Sequence, residues 1–508
     1  MTRLLKLLTH RIFRVAISIL AQLAVLLVVL LWFIDYFSIV YGVCLVLSMI
    51  FVIRIVGDRS NPSYKIAWII PIMLVPVFGW LLYLLFGGKR LSKRTRKKME
   101  ITGRVMEEEF KGVCMANVLA KEVGEDAGNM ARYLERTAFC PAYGNTETEY
   151  FPSGEAHLES MLRELKKAER YIFLEFFILE PGKMWDAVLE ILEEKAAAGV
   201  EVRVLYDDMG CIFTLPRNYV ETLRKKGIQC QVFNRFRPIL SVRMNNRDHR
   251  KILSIDGKVA YTGGTNLADE YINEKQRFGH WKDTAILLRG EAAWSLTAMF
   301  LNMWDFTTGA REEFGKFRPK SAAVSAAGYV QPYGDSPLDD ESVGEIVYLN
   351  LINKARRYIY VTTPYLIIDH TTVTALTSAA KAGVDVRIIT PHIPDKKIVF
   401  ELTRAHYLPL LRSGVKIYEY TPGFIHAKIF AVDDCYGTVG TVNLDYRSLF
   451  LHFEDGVVLY NTPSVLDIKE DFLATQAVSE PVTLRQCGNI RLPRRILRAL
   501  LRVFAPLL

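Results

Sequence analysis

His249, Lys251 and Asp256 form a His-x-Lys-x4-Asp triplet, and His426, Lys428 and Asp433 form a second one. Each is followed at the same distance by a glycine and an asparagine, in Gly263-Gly264-Thr265-Asn266 and in Gly440-Thr441-Val442-Asn443. With nine histidines in the chain, two such triplets in register are not an accident of composition. In a strand, residues i and i+2 share a face, so each imidazole is expected beside its own ammonium group. Two converging His-Lys pairs, with the amides of Asn266 and Asn443, would make an anion-binding pocket suited to a tetrahedral phosphodiester. Imidazole titrates near neutrality, so one ring can attack phosphorus while the other donates a proton. A covalent phosphohistidine would divide one displacement into two. The lysines and asparagines would stabilise the equatorial oxygens as charge builds. This chemistry needs no metal and no cofactor, and the sequence holds no His-Glu-x-x-His, carboxylate-rich loop or Walker loop. Asp256 and Asp433 have two readings: catalytic members of the motif, or turn formers at a strand end, as Asp256-Gly257 suggests.

The elements that must position these residues are also duplicated. From about Phe139, strand-length apolar runs alternate with helical stretches, the pattern of mixed α/β layers. Tyr171–Leu179 reads as a buried strand, preceded by a helix carrying Leu158, Met161, Leu162 and Leu165. Tyr358-Ile359-Tyr360-Val361 repeats that strand, and Ala382-Gly383-Val384-Asp385-Val386-Arg387-Ile388 repeats Ala198-Gly199-Val200-Glu201-Val202-Arg203-Val204. The first half carries a loop about ten residues longer between Gly227 and His249. A repeat this long means two domains packed as a pseudo-dimer, not a solenoid. The join falls near Phe314–Asp340, rich in Gly, Pro, Ala and Ser.

The chain has 508 residues, half of them hydrophobic, a net charge of +9 and a mean hydropathy of +0.13. That composition excludes a disordered or collagen-like chain. Its apolar excess lies at the N-terminus, in the runs Val15–Ile34, Tyr36–Ile53 and Ile66–Phe86, each near the ~20 residues a membrane helix needs. Pro71 and Pro76 make the third run a candidate re-entrant segment. Lys89, Arg90, Lys93, Arg94, Arg96, Lys97 and Lys98 follow it and place the remainder of the chain in the cytoplasm by the positive-inside rule. Arg3, Lys6, Arg11 and Arg14 argue for a cytoplasmic N-terminus as well, so the number of crossings stays open. At the other end, Arg491, Arg494, Arg495, Arg498 and Arg502 share one helical face, opposite Leu497, Leu500, Leu501 and Phe504. Such a helix either lies in an anionic bilayer interface or docks its leucines on its own domain. Seven scattered cysteines without a Cys-x-x-Cys pair read as reduced thiols. The expected organisation is a membrane-anchoring region over 1–88, a charged connector over 89–138, an α/β domain over 139–320, a second over 321–486 and the basic amphipathic helix over 487–508.

The paired motifs resemble those of the phospholipase D superfamily. Further segments make the chain similar to bacterial cardiolipin synthases of that type: Asn61-Pro62-Ser63-Tyr64-Lys65-Ile66-Ala67-Trp68, Pro76-Val77-Phe78-Gly79, Asn246-Arg247-Asp248-His249-Arg250-Lys251, Trp281-Lys282-Asp283-Thr284, Thr363-Pro364-Tyr365 and Asn443-Leu444-Asp445-Tyr446-Arg447-Ser448. The resemblance implies a multi-pass protein of the cell membrane, with two phospholipase D-like domains joining two phosphatidylglycerol molecules into cardiolipin plus glycerol. It implies His249 as nucleophile and His426 as acid and base, although pseudo-symmetry allows the reverse. It also matches Glu270 and Glu454 to acidic positions that orient the imidazoles. His452 departs from the family pattern, which commonly has Asn there. The partners expected are the anionic lipid and the bilayer. No nucleic acid is expected, since no run of Lys/Arg with aromatics lies beside either motif. A hydrolytic phospholipase D, a tethered phosphodiesterase or nuclease, and an inactive membrane scaffold are the competing readings. Oligomeric state is not legible.

Overall fold

The computed structural model describes residues 37–58, 60–87, 93–236, 245–320, 323–339 and 341–507, with a few positions between 20 and 28. The run Val15–Ile34 and the basic cluster from Lys89 therefore lie largely outside the described residues. The chain divides into two units: 1–91 with 234–246 and 503–508, and 92–233 with 247–502.

In the first unit the second apolar run is helix α1 (Phe37–Gly57). An 18-residue stretch of it carries a mean hydropathy of 2.6, and its 20 residues from Ser38, at 1.5 Å each, reach about 30 Å, the thickness of a bilayer core. Among the described residues it is the one helix long and apolar enough to cross a membrane. The third run is broken, as its prolines foretell. Helix α2 (Pro62–Leu74) stops at Val75, and α3 (Pro76–Leu82) restarts with Pro76 in its first turn. The chain folds back there: a Cβ on Gly79 would lie 2.4 Å from Ile72 Cα, so only glycine allows this approach. Ser48 of α1 donates to the Pro76 carbonyl at 3.0 Å, which tethers the break. Ile55, Trp68 and Ile72 form a small apolar cluster, with Leu507 against it.

The second unit holds the duplication as two sheets. The first half contributes β1 (Thr146–Phe151), β2 (Tyr171–Phe176), β3 (Glu201–Asp207), β4 (Gln229–Phe233), β5 (Arg247–Asp248), β6 (Lys251–Ile255), β7 (Val259–Gly263), β8 (His280–Lys282) and β9 (Ala285–Gly290). The second contributes β10 (Tyr329–Asp335), β11 (Tyr358–Thr362), β12 (Asp385–Pro391), β13 (Lys416–Tyr420), β14 (Gly423–Ile425), β15 (Ile429–Val432), β16 (Tyr436–Gly440), β17 (His452–Tyr460) and β18 (Ser479–Pro481). The first sheet runs β1-β9-β7-β6-β2-β3-β4 and the second β10-β17-β16-β15-β11-β12-β13-β18. Strands β2, β3 and β4 are parallel, as are β11, β12 and β13, while β6 and β15 run antiparallel to β2 and β11. The architecture is thus one α/β plan used twice. Central strands such as β2 and β11 are buried along their whole length, as apolar runs covered on both faces require.

Helix α4 (Ala293–Thr308) is apolar nearly all round and correspondingly buried. Its Phe300 stacks on Phe173 of the first sheet at 4.8 Å, and both belong to a core continuous with Tyr333, Val458 and Phe430 of the second. The segment read as a connector forms helices Lys93–Glu109, Ala116–Glu122 and Glu125–Thr137. Its Met106, Phe110, Leu119 and Met130 enter the same core, and Asn302 of α4 donates to the Thr102 carbonyl at 2.8 Å. The longer loop of the first half falls between β4 and β5, at 234–246, where the second half has only Thr421 and Pro422. All seven cysteines are free thiols.

Candidate active site

The two histidines are brought together by an exchange of short strands. Strand β5 of the first half pairs in parallel with the start of β17, Arg247 opposite His452 and Asp248 opposite Phe453. Strand β14 of the second half pairs in parallel with β8. Each exchanged strand ends at a histidine. The His249 amide donates to the Phe453 carbonyl at 2.9 Å and the His426 amide to the Lys282 carbonyl at 2.7 Å. The histidines thus sit in these crossover segments, just before β6 and β15, and not on the strand faces that the spacing suggested.

The exchange gives each imidazole a carboxylate from the other half. His249 Nδ1 lies 3.0 and 2.9 Å from the two oxygens of Glu454. His426 Nδ1 lies 2.7 Å from Asp283 Oδ2. Glu454 is itself fixed by the hydroxyls of Thr441 and Ser448, each donating at 2.5 Å. Asp283 Oδ1 accepts from the Thr284 amide at 2.9 Å. Gly264 leaves room for that carboxylate, since a Cβ there would lie 2.0 Å from Asp283 Oδ1. A carboxylate on Nδ1 holds the proton on that nitrogen and leaves the Nε2 lone pair for phosphorus.

Lys251 and Lys428 are buried, an unusual place for an ammonium group. Lys251 Nζ donates to the His249 carbonyl at 2.6 Å. Lys428 Nζ donates to the His426 carbonyl and also lies 2.9 Å from His426 Nδ1. Burial pushes Lys251 down to about 8, against the pull of Glu454 and Asp455, and Lys428 down to about 7, against Asp283. Each feels carboxylates of both halves, as expected of a shared pocket. Burial also pushes His249 down to about 3, opposed by Glu454, and His426 down to about 4, with Lys428 adding and Asp283 opposing. Glu454 and Asp283 are held below the carboxylate range: burial resists ionisation, but the facing histidines outweigh it.

The remaining residues singled out from the sequence fall into three groups. Asp256 and Asp433 follow the far ends of β6 and β15, more than a strand length of roughly 15 Å from the histidines. Both have φ 54°. The Asp256 carboxylate accepts the amides of Glu169, Arg170 and Tyr171 at 2.8–2.9 Å. Asp433 does the same for Arg356, Arg357 and Tyr358 at 2.6–2.8 Å. Of the two readings, the geometry is that of the turn former, which ties each hairpin to the start of β2 or β11. Asn266 and Asn443 are buried in the loops after β7 and β16. Asn266 spans the Ile178 amide and the Tyr271 hydroxyl, while the Asn443 side-chain oxygen has no protein partner. Glu270 does not orient an imidazole: its carboxylate accepts from Arg277 at 2.8 Å, and Asp283 takes the place expected of it. Asp283 was visible only as part of Trp281-Lys282-Asp283-Thr284. The signal that finds it is three-dimensional, because Trp281-Lys282-Asp283 and His452-Phe453-Glu454 receive the exchanged strands in the same way.

That equivalence sets Trp281 against His452. Trp281 packs on His426 with ring centroids 5.4 Å apart, and His452 packs on His249 at 5.6 Å. Phe177 meets the His249 ring edge-on at 5.1 Å, and Tyr271 meets His426 at 5.7 Å. Beneath His249, Arg250 reaches the buried Glu175 at 2.5 Å and Asp248 at 3.3 Å. The second half has Ala427 where the first has Arg250, so this ionic support belongs to one half only. Among the described residues, His249, His452 and Glu454 bring one donor atom each within 4.8 Å of one another. They could hold a metal ion, at the expense of the imidazole that the chemistry uses.

Known proteins resemble this chain in both halves. The family described as "Cardiolipin synthase, PLD-like domain" matches residues 161–304 and 348–475, one match for each half. "Phospholipase_D-nuclease N-terminal" matches residues 46–88. A protein of Streptococcus mutans is 44% identical over 459 residues, 90% of this chain and 99% of its own. A cardiolipin synthase of Geobacillus sp. is 34% identical over 467 residues, 92% of each chain. The crystal structure of a phosphatidylserine synthase from Haemophilus influenzae superposes with a TM-score of 0.55 at 14% identity, over 75% of this chain and 97% of that one, a likeness of fold. The chain belongs to the bacterial cardiolipin synthases of the phospholipase D superfamily, and is a phosphatidyltransferase.

Proposed function

We propose that the protein converts two phosphatidylglycerol molecules into cardiolipin and glycerol through a phosphohistidine on His249. The observation that carries this reading is the pair of imidazoles with Nδ1 held on opposite-half carboxylates and Nε2 left free. His249 Nε2 attacks the diester phosphorus, and the bond from phosphorus to the glycerol oxygen breaks. His426 gives that oxygen its proton, and glycerol departs. The anionic diester raises the affinity of His426 for this proton on entering, because it places negative charge beside a ring that burial keeps neutral. His426 then takes the proton of the terminal hydroxyl of a second phosphatidylglycerol, whose oxygen displaces His249. Lys251 and Lys428 stabilise the equatorial oxygens in both steps. His249 is the better nucleophile because Glu454 is braced by two hydroxyls and Arg250 supports its segment from below.

We place the reaction at the inner face of the cell membrane, with α1 crossing, the α2–α3 hairpin re-entering, and the Lys89–Lys98 cluster on the cytoplasmic side. The test is a product assay on detergent-solubilised protein with labelled phosphatidylglycerol. Cardiolipin and glycerol in equal amounts are expected. Phosphatidic acid and glycerol without cardiolipin would make the protein a hydrolase on this lipid and overturn the reading.

A further inference from the structure

The C-terminal helix α5 (Leu492–Phe504) is amphipathic, and much of its apolar face is left open. Two arginines of its basic face tie it to the second unit. Arg498 is only 8% exposed and donates through Nε to Glu401 at 2.9 Å. Arg494 spans both oxygens of the same carboxylate, donating to Oε2 through Nε at 2.9 Å and to Oε1 through Nη2. Glu401 is held down to about 2, chiefly by its bond to Arg494. Four of its apolar residues are turned outward: Leu492 is 67% exposed, Ile496 51%, Leu497 47% and Leu500 54%. At 100° per residue, Leu492, Ile496 and Leu500 lie on the side away from Arg494 and Arg498, and Leu497 lies at the edge of that side. A surface helix normally buries its apolar stripe and shows water its charges. A contiguous apolar patch left open marks a contact surface.

We propose that the outward face of α5 is a membrane-contact surface, with Leu492, Ile496, Leu497 and Leu500 inserted into the interface of an anionic bilayer. Two further observations select lipid over a second copy of the chain. First, α5 runs directly into residues 503–508, which belong to the unit that contains the bilayer-length helix α1. Its Leu507 packs with Ile55, Trp68 and Ile72. The chain on one side of α5 is thus already committed to an apolar environment. Second, Arg491, Arg495 and Arg502 remain exposed, and no acidic residue lies between Arg491 and the C-terminus. Three guanidinium groups beside an apolar stripe suit lipid phosphates and would repel the same helix of another copy. Arg494 and Arg498 hold the helix on the catalytic unit, and the leucines hold that unit on the lipid. The inference rests on the membrane reading of α1, and not on which lipid is the substrate.

The test uses the full chain in vesicles of phosphatidylglycerol and phosphatidylethanolamine. Leu497→Cys, in a Cys114→Ser background, carries an environment-sensitive nitrobenzoxadiazole label. The label is expected to emit at shorter wavelength than in water, to be quenched by lipids spin-labelled near the headgroup, and to be protected from aqueous iodide. Quenching by iodide without quenching by lipid would overturn the proposal. So would protection that grows with protein density but not with lipid, because a second copy would then cover the face. A paired measurement uses Leu497→Glu with Leu500→Glu. Turnover on vesicle lipid is expected to fall several-fold while turnover on the same lipid in detergent micelles stays at the parent value. Equal turnover in both settings would also overturn it. The quenching result does not depend on the product formed, so it stands apart from the product assay.

Discussion

His249 and Glu454 lie 205 positions apart in sequence, and the imidazole Nδ1 sits 2.9 Å from the carboxylate. The reciprocal pair is His426 with Asp283. Neither half of the duplication can orient its own histidine, and strands β5 and β14 carry each ring to the other half's carboxylate. The expected cost of Glu454→Gln or Asp283→Asn is therefore catalytic more than structural. An amide NH2 can donate to Nδ1 and hold the ring in the wrong tautomer, with its proton on Nε2. Loss of kcat on the order of 10³–10⁴-fold is expected for each, as for other imidazoles robbed of their carboxylate. Near-wild-type turnover in Asp283→Asn would contradict the reciprocal arrangement. Glu270→Gln serves as the comparison and should lose little turnover, since Glu270 bonds Arg277 and neither ring.

Asp256 and Asp433 are expected to separate stability from chemistry. Each carboxylate collects three main-chain amides in a left-handed turn. Asp256→Ala strands those amides and also strains the backbone, at a cost of about 1–3 kcal/mol or more. The melting temperature should drop, while turnover per folded molecule at low temperature is retained. Loss of turnover without loss of melting temperature would return these aspartates to the catalytic set.

How far the site was legible depended on the range of the contact that makes it. The His-Lys pairs could be read because both residues lie within one short segment, and the duplication showed that it occurs twice. The break at Val75 could be read because Pro71 and Pro76 act locally. Asp283 could not be read, since its function is created by the pairing of β8 with β14, from the other half of the chain. Glu270 drew attention for its position after the first motif, but nothing local to it shows which way its carboxylate turns. The segment 89–138 looked like a linker because its helices show water many charges, whereas Met106, Phe110, Leu119 and Met130 meet partners far along the chain. For α5 the amphipathic pattern was plain, but which face docks was decided by one distant residue, Glu401.

Acid should destabilise the fold through its buried imidazoles. His157 packs between Phe151 and Tyr261 with neither ring nitrogen hydrogen-bonded, and burial pushes it down to about 4. His406 is likewise pushed down to about 4 by burial. An imidazole whose folded pKa is depressed favours the fold while neutral. That contribution is complete above the unfolded value near 6.5 and is lost as pH falls from there towards 4. A fall from 6.5 to about 4 corresponds to roughly 3 kcal/mol for His157. The melting temperature should decline steadily from pH 6.5 to 4. His157→Phe should flatten part of that decline while leaving the value at pH 7.5 little changed. An identical acid slope in the variant would show that His157 is not one of the groups responsible.

Metal should act on this protein as an inhibitor. The reaction uses two imidazoles and two ammonium groups, and chelation by EDTA is expected to leave turnover unchanged. His249, His452 and Glu454, however, place three donor atoms within 4.8 Å of one another. Tetrahedral zinc separates neighbouring donors by about 3.3 Å, so a small rotation of the His452 ring would complete three ligands. His452 is available for this, since neither of its nitrogens is hydrogen-bonded and its Nδ1 lies 3.7 Å from Glu454. Zinc bound there would occupy the imidazole that attacks phosphorus. The second half offers no equivalent, because Trp281 stands where His452 does. Added zinc should therefore inhibit turnover, EDTA should reverse it, and His452→Asn should shift the inhibiting concentration upward by tenfold or more, in line with the loss of one ligand. The comparison is made as the ratio of inhibited to uninhibited rate within each protein, so a change in basal turnover does not obscure it. Equal zinc sensitivity in the parent and His452→Asn would place the inhibitory metal elsewhere.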